Sequence, residues 1–348
     1  MSDKPKVFVA GIGMITAVGA TSQMTAASVK AGINRYQNSD VINKRLNHFK
    51  MASIPVDGLA PLEESLSTVG LTARQRRMLR VATPALNEAL EKYSHDQPIP
   101  LFLAVPEQLP ANVSAISSKF ISYLQKQTGA KLDLNSSRLL ATGRAGGIQA
   151  IDIAFQYFAS TNLDYALVGG VDSWYDLNLL SQLDEDSRMS DEGKFDTFVP
   201  GEGAGFLLLI SEKAASQQNN LKLPSIYQPG LGIEEGHRYS DSTYTGDGLA
   251  TSFRQAIANA VGSPVNAIYS SLNGENFGSK EFGVASMRNS ASMSPDVNHA
   301  HPADCFGDIG AAFAPVLIGL IALSKINGSQ LAYCSSESGY RGAVCINA

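Results

Sequence analysis

The chain is poor in several residue types, and each scarcity excludes a class of protein. Only three of its 348 residues are cysteine, an odd number that suits neither a disulfide framework nor a zinc site. Charged residues make up 17%, and the net charge of -5 provides no basic surface for nucleic acid. The longest apolar run, residues 310–323, is shorter than the ~20 residues that cross a bilayer. These features exclude a small disulfide-stabilised domain, a nucleic-acid partner and a membrane span.

The amino terminus also lacks the pattern of an export signal. No basic stretch followed by an apolar run occurs there, so we expect no signal peptide. Together with the few cysteines, this predicts a reduced, cytoplasmic protein. The spacing of cysteine and histidine matches no metal-site motif, and we expect no cofactor.

The chain is rich in apolar residues and in glycine. Apolar side chains make up 44%, and there are 31 glycines, which favours a large core with many tight turns. Runs rich in β-branched residues alternate with segments of helical spacing, which predicts an α/β protein whose sheets are covered on both faces. The predicted strands are 6–15, 100–105, 138–141, 165–171, 204–210, 225–233, 267–272, 331–336 and 343–347, and the predicted helices are 24–31, 72–93, 114–127, 147–159, 249–261 and 310–325.

Two local features add detail to this pattern. The pair Thr83-Pro84 predicts a kink or break in the helix 72–93, because proline lacks the N–H that a helix interior needs. The polar stretch 216–223 has no clear periodicity and predicts a boundary between two halves. The predicted halves are residues 1–216 and 217–348. On this pattern alone, a Rossmann-like enzyme would fit equally well.

Six segments, in the same order along the chain, resemble the motifs of one enzyme family. They are VFVAGIGMITAVG at 7–19, SVKAGI at 28–33, ATG at 141–143 with LVGGVDS at 167–173, FD with VPGEGAG within 195–205, FGDIGAA at 306–312 and SGYRGAVCIN at 338–347. On these residues the chain resembles the β-ketoacyl-acyl-carrier-protein synthases of the thiolase-fold superfamily. The resemblance implies a five-layered αβαβα fold of two pseudo-symmetric halves, in a family whose members are usually dimers.

The resemblance also implies where the family's catalytic side chains would lie. Condensation starts from a cysteine thiolate at a helix amino terminus and uses two further polar groups, His-His or His-Asn, often supported by a lysine. Aligned on the motifs, Leu140 stands at the cysteine position, and Asn273 and Gly307 stand at the two histidine positions. Pro302 stands at the lysine position. Leucine has no proton to lose and no lone pair, so we predict a homologue without condensation chemistry.

A displaced catalytic group is the alternative. Cys305 could act as the nucleophile with His299 or His301 as its base, or it could be a small buried side chain in a turn. Asp308 lies close by in the sequence and is a further weak candidate. The two histidines could bind a metal weakly, but no third ligand is evident, so we expect no metal site.

The resemblance further places a substrate pocket around seven positions. Tyr340 stands where the family has a gating phenylalanine, and Arg341 replaces a glycine, which narrows an acyl channel. The predicted pocket residues are Leu140, Thr142, Asn273, Glu275, Phe306, Asp308 and Tyr340.

Two other groups of residues have open interpretations. Four arginines form either a docking patch for an acidic carrier protein or a solvated helix face: Arg74, Arg76, Arg77 and Arg80. Cys334 and Cys345 lie on opposite arms of the last predicted hairpin and are candidates to face each other as thiols.

These inferences predict a degenerate β-ketoacyl synthase homologue that does not condense. It would bind an acyl group, an acyl carrier protein or another protein, as a homodimer or beside a related synthase, like the cysteine-less chain-length factors of the superfamily. An accessory role beside a bacterial type VI secretion effector is a variant of this hypothesis. The rival is an active acyltransferase or 3-oxoacyl synthase that uses Cys305 or a non-covalent mechanism.

Overall fold

The computed structural model describes residues 4–93, 96–109, 116–190, 195–217, 222–261, 264–324 and 326–348. The strands are β1 (Lys6–Thr16), β2 (Gln37–Ile42), β3 (His48–Met51), β4 (Leu101–Ala104), β5 (Arg138–Leu140), β6 (Tyr165–Ser173), β7 (Glu202–Ile210), β8 (Ser225–Tyr227), β9 (Gly230–Ile233), β10 (Val265–Ser270), β11 (Met293–Ala300), β12 (Ser329–Ser335) and β13 (Tyr340–Asn347). The helices are α1 (Ser22–Lys30), α2 (Glu64–Ser67), α3 (Ala73–Leu90), α4 (Phe120–Thr128), α5 (Gly146–Ser160), α6 (Leu177–Glu185), α7 (Glu212–Gln217), α8 (Asp247–Asn259), α9 (Asn276–Arg288), α10 (Ala303–Phe306) and α11 (Phe313–Leu323).

The main sheet repeats one strand order in the two parts of the chain. Its order is β11-β10-β12-β13-β8-β1-β7-β6-β4-β5, with β9 also paired to β13. The strands of the first part are β1, β4, β5, β6 and β7, and those of the second part are β8, β10, β11, β12 and β13. When each set is numbered 1 to 5 along the chain, both have the order 3-2-4-5-1 from the outer edge of the sheet inwards. The two sets join where β1 pairs antiparallel with β8. This arrangement confirms the thiolase-like α/β fold. The boundary between residues 216 and 217 stays a prediction.

The helices form three layers around the strands. Helices α3 and α4 cover one outer face, α8 and α9 cover the other, and α5 and α11 lie between the two sets of strands. The two central helices approach closely, because a Cβ on Gly147 would lie only 2.6 Å from the Cβ of Ala314. From Phe313 to Ile321 every residue of α11 is buried and none is polar. The layering is therefore αβαβα, with an apolar helix pair at its centre.

Helix α3 begins and continues for identifiable reasons. Thr72 and Gln75 exchange side-chain and backbone hydrogen bonds at its start, a capping box that satisfies two end groups. The helix runs through Pro84 to Leu90, so the chain is not broken at Thr83-Pro84, and the alternative of a kink there stays a prediction. Buried residues on both sides of the proline pack into the core, which holds the helix together despite the missing N–H.

Several elements differ from the sequence-based expectation. The predicted strand 225–233 is divided into β8 and β9 by Gln228-Pro229, where proline supplies no ladder N–H. The predicted helix 114–127 begins outside the described residues; its described residues 116–119 are not helical, and α4 begins at Phe120. The predicted helix 310–325 starts as a 3-10 turn, Gly310–Ala312, and its last residue is also outside the described ranges. The hairpin β2–β3, helices α6 and α9 and strand β11 were not predicted.

The cysteines of the last hairpin do not face each other. The register of β12 and β13 places Cys334 opposite Gly342 and Cys345 opposite Leu331. The expectation of a facing pair is therefore wrong, and both side chains are fully buried. Within the described ranges, no helix has the length and apolarity that crossing a bilayer requires.

Candidate functional site

Four loops meet at the amino ends of the central helices α5 and α11. Ser336 links two of them, since its Oγ donates to the carbonyl of Thr142 at 2.5 Å and accepts from the N–H of Ala145 at 2.9 Å. Asn273 links the other two, since its Nδ2 donates to Asp308 at 2.9 Å. The loops are residues 141–145, 271–275, 307–312 and 336–339. They include Asn273 and Gly307, the two positions that the family resemblance aligned with histidines.

Arg144 lies at the centre of this junction. Its Nε is 3.3 and 3.1 Å from the two oxygens of Asp308, its Nη2 also donates to Asp308, and its Nη1 donates to Glu337 at 2.9 Å. The guanidinium is buried. Burial alone would lower its pKa, but the two carboxylates raise the pKa well above the ordinary value. Arg144 is therefore a permanently charged group inside the protein.

Asp308 and Asn273 form one side of the junction. Asp308 is fully buried and also accepts a hydrogen bond from the N–H of Gly310 at 2.8 Å, just before α11 begins. Asn273 bridges two carboxylates, because its Nδ2 lies 2.9 Å from Asp308 and 3.1 Å from Glu275. Its amide is thus occupied by protein groups and is not directed at open space.

Glu337 forms the opposite side. One oxygen accepts from Arg144 and from Arg188, both at 2.9 Å, and the other lies 2.8 Å from Nε of Arg238. Burial alone would raise the pKa of Glu337, but the three surrounding guanidinium groups hold that pKa well below its ordinary value. Glu337 is therefore ionised at neutral pH.

Arg188 and Glu275 complete the cluster. Arg188 donates to both oxygens of Glu275, at 2.8 and 2.7 Å, in the bidentate geometry that favours arginine over lysine. The Arg188 guanidinium also lies 5.3 Å from the ring centre of Phe198, and the carboxylates raise its pKa above the ordinary value although burial lowers it. We call the whole set the buried charge network: Arg144, Arg188, Arg238, Glu275, Asp308 and Glu337.

The network is electrically balanced and leaves little space. Three guanidinium groups face three carboxylates, so their formal charges cancel. A cavity of about 40 Å³ lies against Arg144, Asn273, Glu275 and Glu337, and a second of about 20 Å³ lies between Glu107 and Asp172. Spaces of this size hold a few water molecules, whereas pockets for organic ligands measure ~300–1,000 Å³.

Arg341 fills the space beside the larger of these two cavities. Its side chain is buried, and its Nε donates to Glu281 at 2.5 Å while its Nη1 donates to the carbonyl of Ser336 at 2.6 Å. The sequence-based expectation that Arg341 narrows a channel is consistent with this position. Tyr340, the neighbour at the gating position, is partly exposed at the start of β13 and lines neither cavity.

The remaining predicted pocket residues are separated from these cavities. Leu140 ends β5 and is half-buried against the core, and Thr142 donates its hydroxyl to Gln149 at 2.7 Å. Phe306 is fully buried, with its ring centre 6.2 Å from that of Phe313. The structure therefore brings together Asn273, Glu275 and Asp308, whereas Phe306 lies in the protein core and Leu140 lies half-buried at the end of β5.

The alternative nucleophile Cys305 lies in a protected position. Its side chain is buried, and burial together with the Asp304 charge raises the pKa of the thiol. The ring of His301 lies 2.7 Å from the hydroxyl of Ser270, and the ring of His299 packs edge-on against Phe282. Burial and the nearby His301 lower the pKa of His299. In the described part of the chain, no group of three or more ligating side chains forms a metal site.

Gly307 has a backbone conformation that only glycine adopts readily. Its φ is 72° and its ψ is -168°. A Cβ there would lie 2.7 Å from the carbonyl oxygen of Val199. A histidine at this position would require the loop before α11 to change its path.

The arginines of helix α3 are directed into the protein. Arg74 is buried and pairs with Asp172 at 2.9 Å, and Arg77 forms two hydrogen bonds with Glu202. Arg80 donates to the carbonyl of Ala60 at 2.7 Å. Both sequence-based interpretations of this cluster, a docking patch and a solvated face, are therefore wrong for these three side chains.

Sequence reasoning missed the residues that dominate the site. Arg144 follows the ATG motif directly, yet its partners Asp308 and Glu337 are 164 and 193 residues away. Arg188 is 87 residues from Glu275. The local signal was a charged residue just before a helix whose first residues, Gly146, Gly147 and Ile148, are small or apolar.

Comparison with known proteins agrees with the fold and the arrangement of motifs. The family model described as the β-ketoacyl synthase amino-terminal domain matches residues 4–215. The chain belongs to the β-ketoacyl synthase family. No curated protein matches the chain.

Solved structures similar to this chain include three that contain a ketosynthase. The ishigamide ketosynthase/chain length factor is 14% identical over 99% of both chains, with a TM-score of 0.74. The AntDE:AntF structure, a type II acyl-carrier protein in complex with its ketosynthase bound to the hexaketide, is 16% identical over 99% of this chain and 100% of that chain, with a TM-score of 0.75. The ketosynthase from module 6 of the bacillaene synthase of Bacillus subtilis is 14% identical over 98% of this chain and 72% of that chain, with a TM-score of 0.70. These TM-scores establish a shared fold, and at identities this low the likeness shows the fold alone.

Proposed function

We propose that this protein is a non-condensing member of its family that serves as a binding partner of other proteins. The observation that carries the proposal is the buried charge network. It occupies the amino ends of α5 and α11, beside Asn273 and Gly307, which the family alignment puts at the two histidine positions.

The chemistry of the aligned positions supports the loss of condensation. Leu140 offers no nucleophile, and Asn273 has no proton to exchange near neutral pH. The backbone of Gly307 excludes a side chain without rearrangement. The raised pKa of the Cys305 thiol leaves little of it as thiolate, which is the reactive form.

The space at the site supports the same proposal. An acyl group on a carrier arm needs a channel, whereas the cavities beside the network measure about 40 and 20 Å³. Opening a channel through the network would expose paired charges that are now buried, and breaking one buried pair costs about 3–5 kcal/mol. Acyl binding at this place is therefore the less favoured form of the scaffold role.

The free edge of β5 supports a protein partner. The strand is the last in the order of the described sheet and pairs with β4 only, so its other edge carries unpaired backbone groups. Leu139 and Leu140 are only half-buried there, and Ala141 is exposed. We propose that this edge pairs with a second copy of the chain or with a related synthase subunit. A partner of that kind is suggested by the ketosynthase/chain length factor among the similar structures.

The test is the mass of the intact protein after incubation with acyl-CoA and with an acylated carrier protein. A cysteine-containing synthase treated in parallel is the matched control. We expect the control to gain one acyl group and this chain to keep its mass. A covalent adduct would contradict the proposal, and mapping it to Cys305 would favour the rival acyltransferase.

A further inference from the structure

The six members of the buried charge network are not held equally. The side chains of Arg144 and Arg188 are each 6% exposed, whereas that of Arg238 is 25% exposed. Arg144 and Arg188 donate several well-formed hydrogen bonds to the carboxylates. Nε of Arg238 lies 2.8 Å from an oxygen of Glu337, yet neither atom has a hydrogen-bond partner of acceptable geometry within the described residues. Arg238 is therefore the loosest cation of the network.

The surroundings of Arg238 have the composition of a guanidinium-binding site. Glu275 lies 3.1 Å from its Nη2, Glu337 lies 2.8 Å from its Nε, and the ring centre of Phe277 lies 5.3 Å from its central carbon. Both carboxylates are more than nine-tenths buried. Carboxylates bind the planar fork of a guanidinium, and an aromatic face adds a cation–π contact. We call this set of Glu275, Phe277 and Glu337 the guanidinium slot.

Removing Arg238 would leave the slot with an unbalanced charge. Arg144 and Arg188 would then face three carboxylates, so one negative charge would remain without a counter-ion in a buried place. An oxygen of Glu337 is already without a hydrogen bond and lies against the cavity of about 40 Å³. A buried carboxylate in this state binds a replacement cation favourably.

We infer that the guanidinium slot is a binding site for an arginine side chain of a protein partner, and that Arg238 occupies it in the unbound protein. The loop between β9 and α8 carries Arg238 and also places the hydroxyl of Tyr239 3.3 Å from Nη1 of Arg188. Displacing Arg238 would therefore move this loop and open the site to the partner. That a protein partner supplies the arginine rests on the proposed function. That the slot binds a guanidinium group does not, because it can be tested on this chain alone.

The experiment is chemical rescue of Arg238→Ala with methylguanidinium, followed by thermal unfolding and calorimetric titration. We expect the variant to unfold about 2–4 °C below the wild type, because one buried carboxylate loses its partner. Millimolar methylguanidinium should recover at least half of that loss. It should not shift the wild type, in which the tethered Arg238 competes at a high effective concentration. N-acetyl-arginine amide should act in the same way as a mimic of the partner side chain.

Three controls make the outcome specific. Methylammonium at equal ionic strength lacks the planar fork and should recover less than methylguanidinium. Arg254→Ala removes an exposed arginine from α8 and should show no ligand-dependent shift. Adding Glu337→Gln to the Arg238 variant should abolish the recovery.

If Arg238→Ala does not fold, Arg238→Ser removes the guanidinium, leaves a small polar side chain at this partly exposed position, and serves for the same titration. Failure of methylguanidinium to bind either variant more tightly than the wild type would overturn the inference. That failure would leave the proposed function untouched, since the absence of acylation is measured separately.

Discussion

The rim and the body of the central helix pair contrast sharply. The body of α11 consists of apolar residues that are buried along almost its entire length, and α5 contacts it through Gly147. At the rim, where both helices begin, three guanidinium groups and three carboxylates meet within hydrogen-bonding distance. The body is held by close packing and the rim by charge pairing. We therefore expect close packing to determine the stability of the body of this chain and charge pairing to determine that of the rim.

The largest expected effect comes from breaking the rim at its centre. Arg144→Ala would leave Asp308 and Glu337 with one buried charge too many, and we expect the free energy of unfolding to fall by about 3–5 kcal/mol. Urea unfolding followed by circular dichroism measures it. The exposed Arg254→Ala should stay within about 0.5 kcal/mol of the wild type. An Arg144 variant as stable as that control would refute the role of the network.

The body should respond by the mechanism of an apolar core. Leu317→Ala, within the fully buried part of α11, should lower the free energy of unfolding by about 2–5 kcal/mol through lost burial and a residual cavity. The exposed Met287→Ala on α9 is the matched control and should be near neutral. Salt should leave the Leu317 effect unchanged. If the destabilisation by Leu317→Ala changed strongly with salt concentration, the stability of the body would depend on the charge pairs of the rim, against this account.

The dependence on pH separates the two regions further. The pKa of Glu337 is lower in the folded protein than in the unfolded chain, so its contribution is complete above the unfolded value, about 4.3, and is lost as pH falls below it. We therefore expect the stability difference between the wild type and Glu337→Gln to shrink between pH 6 and pH 3 by about 1–2 kcal/mol. Urea unfolding at each pH measures it, with Glu185→Gln as the exposed control. A difference that grows on acidification would contradict the assigned charge state.

The smallest effect concerns thiol reactivity. All three cysteines are buried, and burial raises the pKa of each thiol. We expect the native chain to react with an aromatic disulfide reagent at least about tenfold more slowly than the urea-unfolded chain. Rapid labelling of one thiol that disappears in Cys305→Ala would restore the displaced-nucleophile hypothesis.

The contrast between body and rim also explains what the sequence could predict. The β-branched strands and the apolar segment that became α11 follow local patterns, so their positions were predicted closely. Strand β11 was missed because its residues are largely half-buried or exposed and show no apolar alternation. Helix α9 was missed because it buries only Glu281 and Ala285 according to its burial pattern. Elements whose stability comes from contacts elsewhere in the fold leave little local signal.

The site shows the same limit more strongly. Leu140 and Asn273 could be aligned because they lie beside family motifs. The pairing of Arg144 with Asp308, or of Arg77 with Glu202, could not be predicted, because the partners lie 164 and 125 residues apart. Without those partners, the arginines of α3 looked like a surface patch. Charge pairing inside a fold is a long-range property that composition and periodicity do not contain.

The most direct test of the central claim is to restore the missing thiol and ask whether the site can use it. Leu140→Cys places a thiol at the position that the motif alignment assigns to the family's nucleophile, and it leaves the buried charge network intact. Ala159→Cys, at an exposed position near the end of α5, controls for general thiol reactivity. Both variants would be incubated with acyl-CoA and acylated carrier protein, and their intact masses would be measured. We predict that Leu140→Cys gains no acyl group beyond the control. Acylation of Leu140→Cys at the rate of an active synthase would show that the site remains open and that only its nucleophile has been lost.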